Sequence, residues 1–283
     1  MDERDRVAIR PDALSPAQIE EKAEAVGAGK ASMPVGRAFI LAVMAGLFIG
    51  MGGMYMLLIK SDATLPYVAS QLLGGLGFCL GLFLVVAAGA ELFTGNCLMV
   101  CGALSNRLKW GAMFKSWSIV YLGNLIGSLL LAALLFFAGY ASGNAGGIGN
   151  AMITVAASKV AQPFLVLLLK GIMCNLLVCL AVWICFASRT IIDKFVAILL
   201  PISAFVACGF EHCVANMFFL PMGLLMKMSG FDYAGPADMD ALGFGSALTN
   251  LTAVTIGNII GGAVFVGMAY WLAFRRPKAG ATA

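Results

Sequence analysis

The chain alternates long apolar runs with short polar breaks, the runs falling at roughly 37–59, 70–104, 112–138, 164–188, 195–229 and 248–274. About 20 consecutive apolar residues are enough for a helix to cross a bilayer, so each run predicts a transmembrane span. Six spans place both chain ends on the same side. The second and fifth runs are about 35 residues each, which at ~1.5 Å per residue would make ~50 Å of helix against ~30 Å of hydrocarbon. Neither can be one straight helix. Each is expected to break near its middle, and irregular backbone at that depth is tolerated where it is buried in protein or lines a cavity.

The two expected breaks carry the same string. Gly89-Ala90-Glu91-Leu92-Phe93-Thr94-Gly95-Asn96 and Gly209-Phe210-Glu211-His212-Cys213-Val214-Ala215-Asn216 both read G-x-E-x-x-x-x-N, and each precedes a second shared string, Gly123-Asn124-Leu125-Ile126-Gly127 or Gly257-Asn258-Ile259-Ile260-Gly261. Two matches in the same order mark an internal duplication. The organisation predicted is a tail at 1–36, one three-span unit at 37–138, a second at 139–274 and a tail at 275–283. A unit with an odd number of spans inserts its second copy upside down, which brings the two broken strings together near the bilayer midplane. Small residues at Gly46/Gly50, Gly74/Gly77/Gly81, Gly123/Gly127 and Gly257/Gly261 suit close helix contact. The fold class expected is therefore an all-α polytopic membrane protein built of two inverted repeats.

Before residue 37 the chain is polar, with no apolar core of signal-peptide type, so no cleavage is expected. Ser15-Pro16-Ala17-Gln18 is a capping-box start with proline at the first helical position, and it predicts a short interfacial helix resting on the membrane surface or on neighbouring helices. The basic residues Arg37, Arg107, Lys109, Lys115, Arg189, Lys194, Arg275, Arg276 and Lys278 fall on one side, which the positive-inside rule makes cytoplasmic. On the other side Lys60, Lys159 and Lys227 are diluted by Asp62, Asp232, Asp238 and Asp240.

Composition removes whole classes of function. At 61% hydrophobic and 11% charged residues the chain is too apolar for a soluble domain, where about 25% charged is usual. Its net charge of +4 is scattered over loops and ends, which argues against a nucleic-acid partner. The eight cysteines, Cys79, Cys97, Cys101, Cys174, Cys179, Cys185, Cys208 and Cys213, include no C-x-x-C pair, so no metal, haem or other cofactor is expected and the thiols are read as packing.

The only histidine, His212, sits in the second break, and Thr94 sits in the first. Facing each other, an imidazole and a hydroxyl suit a small anion and a proton. Titratable groups at membrane depth normally face a partner or a permeation path. Glu91 and Glu211 are read as carboxylates that brace the breaks by accepting main-chain N–H bonds, since two free negative charges would repel an anion. Asn96, Asn124, Asn175, Asn216 and Asn258 are read as further brackets, with Asn175 or Asn258 open to ligand contact. Lys159 in the loop before the fourth span, Lys30 before the first, and Lys170 two turns into the fourth are candidates to attract anions. Lys170 must line a vestibule or pair with Glu91 or Glu211. Phe78, Leu82 and Phe205 stand beside the strings and suit dry constrictions.

The strings A-G-A-E-L-F-T-G-N at 88–96, K-G-I-M-C-N-L-L-V-C-L-A-V-W at 170–183, G-F-E-H-C-V-A-N-M-F at 209–218 and T-I-G-N-I-I-G-G at 255–262 resemble the formate/nitrite transporter family, in the right order over about residues 15–275. The resemblance implies an aquaporin-like protomer assembled as a homopentamer with a separate pore in each subunit, in a bacterial inner membrane. By motif, it implies that Thr94 and His212 form the centre, that Phe78, Leu82 and Phe205 form the constrictions, that Lys159 and Lys30 stand at the outer and inner mouths, and that Asn175, Val178 and Asn258 line the path. Cys213 replaces a frequent serine, and Lys170 is not universal in the family. The expected function is non-enzymatic transport of formate or nitrite, coupled to a proton through His212, with hydrosulfide as the alternative anion. A neutral-solute channel lacks its paired N-P-A loops here, and a membrane redox protein would need more than one histidine.

Overall fold

A computed structural model describes residues 13–275; most of the expected C-terminal tail and the first part of the N-terminal tail lie outside the described residues. In chain order the helices are α1 (Pro16–Ala31), α2 (Val35–Lys60), α3 (Tyr67–Ala88), α4 (Phe93–Leu104), α5 (Trp110–Phe137), α6 (Gly147–Val160), α7 (Phe164–Ala187), α8 (Ile191–Ala207), α9 (Cys213–Met228) and α10 (Phe244–Phe274). Helices α2, α3, α5, α7 and α10 are each long and apolar enough to cross a membrane, whereas α4 and α9 are shorter apolar pieces. The second and fifth hydropathy runs are thus divided, α3 from α4 and α8 from α9. The result is an all-α membrane fold with inverted-repeat topology.

Glycine ends the helix at both breaks. Gly89 has φ +83°, and the N–H groups of Gly89 and Ala90 both donate to Val85 O. Gly209 has φ +69°, and Phe210 N–H donates to Phe205 O at 3.0 Å. A left-handed residue closes a helix while satisfying its last carbonyls, and glycine adopts that conformation without a Cβ clash. The chain then restarts after a few residues as a half-helix.

Glycine also sets how closely the spans approach. A Cβ on Gly127 would lie 2.0 Å from Val43 O, and one on Gly46 would lie 2.1 Å from Asn124 O. In the second half a Cβ on Gly257 would lie 2.3 Å from Leu168 O, and one on Gly261 2.2 Å from Ile172 O. So α2 meets α5, and α7 meets α10, backbone against backbone at equivalent points of the two halves. Only a missing side chain permits that contact.

Two features depart from the hydropathy reading. The segment between the third and fourth runs forms α6, which buries Ile148, Met152, Ile153 and Ala156 and packs on α9. Lys159 therefore sits on the last turn of a helix, not in a loop. Helix α10 carries π-type turns over Ile260–Met268, beside Gly262, where a Cβ would collide with Asn175, Cys179 and Cys97.

Helix α1 starts as its capping box predicts, with Ser15 Oγ accepting from Gln18 N–H and Gln18 Oε1 accepting from Ser15 N–H. It rests on neighbouring helices, the ends of α4 and α10 among them, with Ile19 and Ala23 buried. Its polar anchor is Glu24, which takes Arg107 Nε at 2.8 Å and the Ser105 hydroxyl. Beside it Glu20 is 5% exposed and its Oε1 has no partner. Burial, and then the Glu24 carboxylate, push the Glu20 carboxyl up to about 7 from 4.5, with Arg275 and Arg107 pulling the other way.

Because docking raises this pKa, the stabilisation from a protonated Glu20 is fully present below about 4.5 and is lost as pH rises through about 7. The protection of α1 amides in bilayer-embedded protein, taken as exchange relative to the base-catalysed intrinsic rate at each pH, should therefore fall between those values. Glu20→Gln should hold that protection at its low-pH level throughout; the wild-type pH response of protection in that variant would remove Glu20 as the titrating group.

Candidate functional site

The first turn of α4 and the N-cap of α9 face each other, and each contributes one polar side chain. Thr94 Oγ1 and His212 Nε2 lie 3.0 Å apart, with Thr94 fully buried and His212 nearly so. The other ring nitrogen caps α9: His212 Nδ1 accepts from Ala215 N–H at 3.1 Å. An N–H donor at Nδ1 requires a lone pair there, so the neutral ring carries its proton on Nε2. Nε2–H then donates to Thr94 Oγ1, leaving the threonine hydroxyl hydrogen free for another acceptor. Both half-helices present their positive N-terminal ends to this pair.

Asparagines from the last span of each half hold the two breaks in place. Asn124 Oδ1 accepts from Phe93 N–H at 2.9 Å, while its Nδ2 donates to Ala42 O at 2.8 Å and Glu91 O at 2.9 Å. Asn258 Oδ1 accepts from Cys213 N–H at 2.9 Å, while its Nδ2 donates to Gly171 O at 2.8 Å and Glu211 O at 2.9 Å. The two sets match bond for bond. Asn175 adds a cross-tie by donating to Thr94 O and Asn258 O.

These bonds meet the reading of Asn124 and Asn258 as brackets and correct the one for the glutamates. Main-chain bracing falls to Asn124 and Asn258, while the Glu91 and Glu211 side chains take lysine and asparagine donors. An amide has both a donor and an acceptor to offer a broken helix, where a carboxylate has only acceptors. Asn175, Val178 and Asn258 are buried next to the Thr94–His212 pair, and the two amides bond backbone groups there.

Each glutamate sits in a triad. Lys30 Nζ reaches both oxygens of Glu91 at 2.8 Å and Asn96 Oδ1 at 2.8 Å, and Asn96 Nδ2 donates to Glu91 Oε2. Lys159 Nζ reaches both oxygens of Glu211 at 3.1 Å, and Asn216 Nδ2 donates to Glu211 Oε2 at 2.6 Å. A buried carboxylate needs such a partner. The consequence for Lys30 and Lys159 is that each already has a counter-charge. Lys170 pairs with neither glutamate; it donates to Gln162 Oε1 at 2.7 Å and lines a vestibule.

Two cavities open on opposite sides of the Thr94–His212 pair. One, of about 480 Å³, lies beside α1; Leu82 and Glu91 line it with the basic residues Lys22, Lys30, Arg37 and Lys194. The other, of about 280 Å³, is lined by His212, Phe78, Phe205, Glu211, Lys60, Lys159 and Lys170 among others. Phe78 and Phe205 meet edge to face at 5.6 Å, and Phe205 stacks on the His212 ring at 5.9 Å. Sequence reasoning missed Phe219, which stacks on Phe78 and carries the Lys159 ammonium 5.5 Å above its ring. It also missed Lys60. Phe219 lies one turn past the Asn216 bracket, a position that the helical period of α9 could have flagged. Among the described residues no group of histidine, cysteine or acidic side chains is placed to hold a metal ion.

The sequence profile described as formate/nitrite transporter matches residues 17–272. The "Formate channel FocA" of Escherichia coli (strain K12) is 40% identical over 278 residues, covering 94% of this chain and 96% of the relative. A solved structure titled "Pentameric formate channel with formate bound" superposes with a TM-score of 0.74 at 36% identity, covering 85% of this chain and 97% of its own. Another, titled "FNT family ion channel", gives a TM-score of 0.77 at 32% identity, covering 90% and 98%.

Asn258→Leu removes three bonds to buried backbone groups at once. Each orphaned group costs about 1–3 kcal/mol, so thermal unfolding in detergent should move to markedly lower temperature. Asn124→Leu should do the same by a similar amount, and Asn258→Gln should also lower it, because the added methylene displaces the amide. A wild-type melting temperature in Asn258→Leu would show that water replaces the bracket.

Proposed function

Since the chain belongs to the formate/nitrite transporter family and transports a small monovalent anion, we propose that its substrate is formate, with nitrite a second substrate, and that it works as a homopentamer of independent pores. It is a multi-pass membrane protein of bacterial inner-membrane type. We place the α1 side in the cytoplasm on the distribution of basic residues. The repeat units begin at residues 37 and 139 on hydropathy; the matching Lys30 and Lys159 triads support counting α1 with the first unit and α6 with the second.

The observation that carries the reading is the buried Thr94–His212 hydrogen bond, set between two vestibules rich in basic residues. Taking a bare small anion through a dry passage carries an idealised penalty of order 20 kcal/mol, several kcal/mol after relaxation. Protonating a carboxylate of pKa about 4 at pH 7 costs only ~4 kcal/mol, at ~1.36 kcal/mol per unit. Crossing as the neutral acid is therefore the cheaper route. Lysines concentrate the anion, the Thr94 hydroxyl orients it, and His212 Nε2–H donates to it. To give up that proton without becoming an imidazolate, His212 must take another from the medium, through the vestibule it lines, at Nδ1, where Ala215 N–H now sits. Proton transfer and release of the α9 cap are thus one event. Phe78, Phe205 and Leu82 keep bulk water from the pair.

Hydrosulfide is the second reading, because its conjugate acid is weaker than formic acid and neutralises more readily. The relative named as a formate channel favours formate.

His212→Asn should keep the fold and the pocket, uncouple proton entry from formate entry in proteoliposomes, and flatten the pH dependence of flux between about pH 5 and 7. Retention of wild-type coupling would reduce His212 to a helix cap. Native mass spectrometry of detergent-solubilised protein should give five chains, and mixed assemblies with His212→Asn chains should lose coupled flux in proportion to the mutant fraction. An active monomer would refute the assembly.

A further inference from the structure

The carbonyl of Thr94 is held by more donors than its place in the backbone requires. It takes Cys97 N–H where α4 tightens at Cys97–Met99, a turn whose hydrogen bonds are poorer than those of a regular α-helix. Two side chains of α7 converge on the same oxygen, Asn175 Nδ2 at 3.2 Å and Cys179 Sγ at 3.3 Å. They stand one turn apart on one helix face, and both are fully buried. Asn175 spends its other amide hydrogen on Asn258 O at 2.6 Å, and its own Oδ1 lies farther from the thiol, at 3.7 Å, than Thr94 O does. Behind them α10 closes the space, because a Cβ on Gly262 would lie 2.4 Å from Asn175 Nδ2 and 2.7 Å from Cys179 Sγ.

The internal repeat shows that this arrangement belongs to one break alone. Glu91 N–H bonds Leu41 O where Glu211 N–H bonds Lys170 O, and Asn124 reaches Ala42 O where Asn258 reaches Gly171 O. In that register Asn175 and Cys179 stand where α2 has Gly46 and Gly50, and Thr94 stands where the second break has Val214. From side chains, Val214 O receives the Ser128 hydroxyl at 3.5 Å, a single hydrogen shared with Gly46 O at 3.4 Å. The residue that carries the hydroxyl thus has its backbone fixed by two α7 donors, and its apolar counterpart does not.

We propose that Cys179 is a positioning residue of the Thr94–His212 pair: its thiol, together with the Asn175 amide, fixes the Thr94 peptide so that Thr94 Oγ1 stays in reach of His212 Nε2. The inference rests on the transport reading only for its consequence in flux. Oγ1 hangs from the same Cα as the held carbonyl, so a rotation of that peptide carries the hydroxyl with it. The Thr94–His212 bond is 3.0 Å long, and a shift of about 1 Å takes it outside hydrogen-bond range. Cys179 meets the carbonyl and not the hydroxyl, so it acts on a substrate only through Thr94.

The test compares two smaller side chains, serine, which keeps a donor, and alanine, which removes it. Cys179→Ala should lower the maximal rate of formate uptake in proteoliposomes about five- to ten-fold, a fraction of the ~100-fold that a 1 Å misplacement costs. Its half-saturation concentration should stay within about two-fold of wild type, because loading precedes the step at Thr94. Cys179→Ser should keep the maximal rate within about two-fold of wild type. If Cys179 only fills space, serine and alanine fall together. His212 is the only histidine in the chain, so isotope-labelled histidine gives one Nε2 signal that reads the pair without any flux. In solid-state NMR that signal should shift or split in Cys179→Ala and coincide with wild type in Cys179→Ser. A wild-type rate or an unmoved Nε2 signal in Cys179→Ala, or an equal loss in both variants, overturns the role. Absence of formate uptake by a wild type whose Nε2 signal moves in the alanine variant alone would instead count against formate as the transported anion and leave the positioning role standing.

Discussion

A helix broken inside a bilayer leaves main-chain N–H and C=O groups where no water can reach them, at a cost of several kcal/mol for each that stays unpaired. Everything at the centre of this protein follows from how that cost is met. Asn124 and Asn258 each bridge three backbone groups, one from the restarting half-helix, one from the break itself and one from a neighbouring span. Glycines at the α2–α5 and α7–α10 crossings bring the spans close enough for a short amide side chain to reach. With the breaks held, the two half-helix N-termini meet, and Thr94 and His212 come within hydrogen-bond distance.

Charge in the molecule is arranged in the same paired fashion and then made unequal. Each break carries a buried glutamate balanced by a lysine from a preceding short helix, so the triads add structure without adding field. The net positive character of the vestibules comes from other residues, Lys22, Arg37 and Lys194 on one side and Lys60 and Lys170 on the other. The paired lysines hold the breaks.

Much of this architecture was legible in the chain. Run lengths gave the spans and required two breaks; the doubled G-x-E-x-x-x-x-N string located them; the odd span count in each copy gave the inversion. Those properties depend on one-dimensional quantities, hydrophobic length and repeat, set against a bilayer of fixed thickness. The sole histidine stood out because an ionisable group at that depth is costly, and its equivalence to a position near Thr94 followed from the repeat alone.

What only the tertiary structure decided was which polar group answers which. Glu91 and Glu211 looked suited to the backbone, yet packing gives the backbone to Asn124 and Asn258, about 30 and 50 residues away in sequence, and gives the carboxylates to lysines on α1 and α6. No periodicity could assign Lys159 to an ion pair and Lys60 to an amide, since both are single lysines near a span end. Nor could it fix the protonated nitrogen of His212, which depends on Ala215 N–H being within 3.1 Å of Nδ1. Hydropathy is a sum over a segment and survives without coordinates. Hydrogen bonding acts over about 3 Å between residues distant in the chain, so its partners exist only once the helices have packed.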